Sequence, residues 1–143
     1  MSQRRIFRVY TGIFAVLMLG WWPASHWLFP DTYHDLLGFG QLTASDYAMA
    51  KVIGTLSVLP VLGMLLVARD PERLRGLFIS LLVLSALTVG TYTHLIETGD
   101  FPDGEWLNVG LITLNGLILA GLYPWRSAQK FQLAWREAFT AHS

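Results

Sequence analysis

The chain has 143 residues, 53% of them hydrophobic and 14% charged, with ten basic residues against ten acidic ones. Soluble domains carry roughly 25% charged residues, so a soluble surface of ordinary polarity is excluded, and a zero net charge argues against a nucleic-acid partner. With no cysteine, a disulfide framework, a thiol nucleophile and a Cys-ligated metal are excluded as well.

The apolar residues fall into runs of about 20, the length that crosses a bilayer. They predict an all-α, polytopic membrane protein, in which residues 1–143 form a single domain. Its core is a four-transmembrane-helix bundle, closed by a C-terminal amphipathic interfacial helix. The first span is expected over about residues 9–29, after Arg4, Arg5 and Arg8. This arginine pair before an apolar run superficially resembles a twin-arginine export signal. No small-x-small cleavage site follows, and Trp21-Trp22-Pro23 ends such a signal poorly, so a retained helix is expected. The second span covers about residues 47–68, with a kink expected at Pro60, which lacks a backbone donor. A charged turn over 69–76 precedes the third span, about residues 77–96, and Asp70-Pro71 supplies its helix stop. The fourth span covers about residues 106–125. Beyond it, over 126–143, Phe131, Ala134, Trp135, Ala138 and Phe139 share one helical face, while Lys130, Gln132, Arg136 and Glu137 fall elsewhere. That spacing describes an amphipathic tail on the cytoplasmic surface.

Charge orients the spans. One side receives Arg4, Arg5, Arg8, Arg69, Arg73, Arg75, Arg126, Lys130 and Arg136, nine of the ten basic residues. The other receives Asp31, Asp35, Asp46, Glu97, Asp100, Asp103 and Glu105, seven of the ten acidic ones. Only Lys51 breaks the basic pattern. The positive-inside rule then places both termini in the cytoplasm. Trp21, Trp22, Trp27, Phe29, Tyr33, Phe101 and Trp106 form an expected outer aromatic belt, and Tyr123 and Trp125 an inner one.

Helices in lipid associate by close backbone approach and polar contacts. Ala50 with Gly54, Ala86 with Gly90, and Gly116 with Ala120 supply small residues four apart. Asn115, near mid-bilayer, is expected to face the bundle or a partner. Polar residues gather on the outer side, where Lys51 calls for a counter-ion among Asp31, Asp35, Asp46 and Glu97. Two ligand readings arise there. In one, a small amphiphile (quinone-, sterol- or aromatic-like) is bound by Lys51, Tyr92, His94, Glu97 and Asn115. In the other, His26, His34 and His94 offer nitrogens to a metal, with Asp35 or Glu97 adding oxygen; their spacing matches no diagnostic pattern, and no metal or other cofactor is expected. No phosphate-cradling loop or Ser-His-Asp arrangement is present, so no catalytic residues are assigned.

Length, four spans with cytoplasmic ends, Ala68-Arg69-Asp70-Pro71, Gly54 and Tyr123-Pro124-Trp125 together resemble the small bacterial DoxX-like and BphX-like membrane proteins. That resemblance implies an inner-membrane location and, for DoxX-type members, respiratory or redox partners; it carries over no catalytic residues. The expected function is a non-catalytic accessory or interaction subunit in the bilayer, partnered by another membrane protein or by copies of itself. The alternative is the amphiphile-binding protein or enzyme with its site at the outer face.

Overall fold

The computed structural model describes residues 2–140, with side chains up to residue 134. Among these residues every regular element is helical. Four helices, of 26, 26, 23 and 20 residues, are long and apolar enough to cross a membrane. At 1.5 Å rise per residue they extend about 30–39 Å.

The first long helix begins as α1 (Gln3–Leu19), capped by the Ser2 side chain, which accepts from the Arg5 amide. It passes through a π-helical turn (Gly20–Ala24) into α2 (Ser25–Leu28). Pro23 lies inside that turn and has no amide hydrogen to give, a recurrent cause of local rewinding. The Ser25 hydroxyl donates to the Trp21 and Trp22 carbonyls, and His26 Nδ1 reaches the Trp22 carbonyl at 2.8 Å, so the loosened turn keeps its acceptors satisfied.

A short helix, α3 (Pro30–Leu37), follows where the sequence was expected to run as a loop. Proline at its first position and left-handed Gly38 (φ 90°) after its last bracket it. The second long helix opens on a capping box between Thr43 and Asp46 and comprises α4 (Ala44–Leu56) and α5 (Val58–Arg69). It breaks at Ser57, three residues before Pro60, where the Ser57 hydroxyl donates to the Gly54 carbonyl at 2.9 Å. The third is α6 (Arg75–Glu97). A 3-10 turn (Asp103–Glu105) leads into α7 (Trp106–Leu122), and α8 (Trp125–Thr140) ends the described chain. The expected apolar face of α8 uses Trp135, Ala138 and Phe139, whose side chains lie outside the described residues.

The four long helices pack in a ring. The first lies chiefly on the second and the third on the fourth, and second–third and first–fourth contacts close the circle. Of the small-residue pairs, Ala50 and Gly54 sit in a tight contact: a methyl group on Gly54 would stand 3.0 Å from His26 Cβ and 3.0 Å from Trp27 Cδ1. Gly90 and Gly116 instead face open space. Gly63, which no pairing pattern had marked, meets Leu81, with 3.3 Å between a built Cβ and a Leu81 methyl.

The two ends of the ring differ. At the end carrying the N-terminus, Phe7, Val67, Phe78, Leu119, Tyr123 and Ala128 form a buried cluster. Arg4 pairs with Glu72 at 3.3 Å beside it. Tyr123, expected in an aromatic belt, is fully buried here. Between the ends, each long helix turns leucine outward: Leu17 (63% exposed), Leu59 (65%), Leu87 (64%) and Leu117 (68%).

Candidate functional site

At the opposite, acidic end Trp21, Tyr33 and Glu105 converge on Asn108, which is fully enclosed on α7. Its Oδ1 accepts from Trp21 Nε1 at 2.8 Å; its Nδ2 donates to the Tyr33 hydroxyl at 2.9 Å and to Glu105 Oε2 at 2.6 Å. Trp22 Nε1 also donates to the Tyr33 hydroxyl, at 3.1 Å. One amide therefore links the first long helix, α3 and the start of the fourth. Glu105 is only 3% exposed and forms no ion pair among the described residues.

Backbone packing fixes this arrangement. A methyl group on Gly104 would fall 2.1 Å from the Leu37 carbonyl oxygen, so only glycine lets the 3-10 turn sit on the end of α3. That contact holds Tyr33 over Asn108 and seals Glu105 beneath. Burial, with Glu105 and Tyr92 nearby, pushes the Tyr33 phenol well above the ordinary tyrosine range.

Aromatic and imidazole rings extend the cap sideways. His26 lies 4.5 Å from the Tyr33 ring and 5.5 Å from His34; His34 meets Phe39 at 5.2 Å, Phe39 meets Phe101 at 5.4 Å, and Phe101 meets Tyr92 at 5.3 Å. His26 Nδ1 faces the Trp22 carbonyl, and His34 Nδ1 the Pro30 carbonyl at 2.7 Å. A carbonyl only accepts, so each Nδ1 carries a proton and, in the neutral ring, each Nε2 keeps its lone pair. His94 is exposed on α6, and among the described residues no three His, Asp or Glu side chains gather as a metal site.

The residues expected to share one ligand site are spread over the bundle. Lys51 lies over the Trp27 ring at 5.7 Å, and Trp27 Nε1 donates to Thr55 at 3.1 Å. No carboxylate pairs with Lys51 among the described residues, so the indole face stands where a counter-ion was expected. Tyr92 joins the aromatic cap, and Glu97 is exposed at the end of α6. Asn115 lies deeper, accepting from the Tyr10 hydroxyl at 2.5 Å and donating to the Leu111 carbonyl at 2.7 Å. It thus ties the fourth long helix to the first.

Asn115 also lines a cavity of about 110 Å³ at the centre of the ring. The walls are mainly apolar, with Phe14, Met64, Leu81 and Ile112 among them, and Trp22 lines it as well. Thr11, only 1% exposed, lines it too, and its Oγ1 is buried with no hydrogen-bond partner among the described residues.

The sequence places Tyr33 in the expected outer aromatic belt and Glu105 among the outer acidic residues, and neither position reads as a buried partner of Asn108. The local signals were Pro30 and Gly38, which delimit a helix able to carry Tyr33 inward. No family model matches the chain, and no match was found among curated proteins or solved structures.

Proposed function

We propose that this chain is a multi-pass protein of a bacterial cytoplasmic membrane, with both termini on the cytoplasmic side, acting as a non-catalytic accessory or interaction subunit. The observation that carries the reading is the outward leucine on every long helix, set between a basic and an acidic end. In water such a girdle is costly, whereas lipid accepts it and the arginines stay on the cytoplasmic face. The buried polar groups support a structural role, because Asn108 and Asn115 spend their hydrogen bonds joining helices.

The DoxX-like and BphX-like resemblance is part of this proposal. Two of its motif segments meet in the fold, where the Tyr123 hydroxyl donates to the Pro71 carbonyl. Isolation from the native membrane in mild detergent tests the accessory role. Recovery of a defined complex with another membrane protein, or of a defined homo-oligomer, supports it; a monodisperse monomer without partners overturns it.

A second reading, binding of a small amphiphile, is favoured by the unpartnered Thr11 hydroxyl in the central cavity. A cavity of about 150 Å³ holds a benzene ring and this one measures about 110 Å³, so a compound smaller than benzene with one hydrogen-bonding oxygen suits the space. Extraction of such a compound with the purified protein supports that reading, and its loss in Thr11→Val locates it.

A further inference from the structure

We propose that the groove between the first two long helices at the basic end binds the phosphate head of an anionic phospholipid. The inference rests on the membrane-spanning reading. The groove measures about 740 Å³, and Arg4, Arg5, Arg8 and Arg69 line it together with Val9 and Leu65. Arg4 is engaged with Glu72. Arg5, Arg8 and Arg69 have no acidic partner among the described residues, so three arginines without an ion pair line one concavity.

Helical geometry explains the clustering. Arg5 and Arg8 are three apart on α1, one turn along the same side. Arg69 is the last residue of α5, which lies against α1. Guanidinium forks match phosphate oxygens in pairs and keep their charge at every physiological pH. A bound phosphate would relieve the mutual repulsion of the three.

The wall chemistry selects a lipid over a soluble anion. Val9 (49% exposed) and Leu65 (42%) form an apolar side to the groove, and Leu62 (50%) continues it one turn along α5 toward the middle of the bundle. A phosphate among the arginines would leave its acyl chains running down that track. Basic pockets between helices on the cytoplasmic side recognise anionic headgroups in this way. Arg73 and Lys130 carry the same charge at the same end but do not line the groove, and so serve as controls.

The test uses the full chain in nanodiscs of phosphatidylcholine alone or with phosphatidylglycerol, read by thermal unfolding and by native mass spectrometry. Phosphatidylglycerol is expected to raise the unfolding temperature and persist as a bound adduct. Arg5→Gln/Arg8→Gln/Arg69→Gln should abolish both effects, at about fivefold weaker retention per arginine removed, while Arg73→Gln/Lys130→Gln keeps them. The single changes Arg5→Gln and Arg69→Gln cover a triple variant that does not fold. Equal retention of the two lipids, or undiminished retention by the groove variants, overturns the proposal. Equal stabilisation by inorganic phosphate in discs of phosphatidylcholine alone overturns the lipid assignment in favour of a free anion. Failure of the wild type to enter either disc overturns the spanning reading, and the lipid site with it; entry without the phosphatidylglycerol effect overturns the lipid site alone.

Discussion

The hydroxyl of Tyr123 donates to the backbone carbonyl of Pro71, 2.5 Å away and 52 positions earlier in the chain. The ring stacks on Phe78 at 4.1 Å, and Phe7 meets both rings edge-on, at 5.5 Å from Phe78 and 5.2 Å from Tyr123. Gln3 Nε2 reaches the Tyr123 carbonyl at 3.4 Å. The end of the fourth long helix, the turn between the second and third, and the start of the first therefore meet at one side chain. The same contacts gather the N-terminal arginines and the charged turn at one end of the ring.

Tyr123→Phe keeps the stack and removes only the donor, leaving the Pro71 carbonyl unpaired in a buried site. The expected loss is about 1–2 kcal/mol of stability, measured by unfolding in detergent or in bilayer discs. An unchanged unfolding midpoint would show that the bond contributes nothing.

Gly104→Ala places a methyl group against the Leu37 backbone, which has no flexible end to move aside. A loss of a few kcal/mol is expected, on the scale of overpacking and backbone strain, with faster hydrogen exchange in α3. Gly110 faces open space on α7, so Gly110→Ala should be neutral or stabilising by up to about 1 kcal/mol. Equal effects of the two substitutions would refute the account of the cap.

Asn108→Ala deprives Trp21 Nε1, Glu105 and Tyr33 of a shared partner. Leaving buried polar groups unsatisfied costs about 1–3 kcal/mol each, so this change should cost more than Asn115→Ala, whose main partner is the half-buried Tyr10. Tryptophan fluorescence should report the release of Trp21. A smaller penalty at 108 than at 115 would contradict the hub role.

The raised Tyr33 phenol yields a pH dependence. Burial favours the neutral form in the folded chain, while the unfolded chain ionises at the ordinary value of 10.0. The contribution of Tyr33 is therefore complete below pH 10 and is lost as pH rises beyond it. The difference in unfolding free energy between wild type and Tyr33→Phe should shrink above pH 10. A difference that stays constant through the alkaline range would contradict the sign.

Much of this was legible in the residue pattern, because hydropathy and charge act over whole helices. The four long helices and the break near Pro60 follow from composition and from one missing amide donor. The cost of a lone amide in an apolar medium leads to the expectation that Asn115 faces the bundle or a partner, and it bonds Tyr10 on the first long helix. The acidic-end hub was not legible. Eight residues give too little periodicity to mark α3, and the burial of Glu105 depends on a Gly104–Leu37 contact between segments far apart in sequence. Gly90 and Gly116 mislead for a related reason: small residues permit close approach, and only the geometry of the ring decides where it happens.

The central claim is that the leucine girdle spans a membrane with the basic end inside. The chain has no cysteine of its own, so single cysteines report sidedness without background. In intact cells, a membrane-impermeant maleimide should label Asp35→Cys and Asp103→Cys, and label Arg73→Cys only after lysis. Labelling of Arg73→Cys in intact cells, with Asp35→Cys and Asp103→Cys protected, would contradict the account.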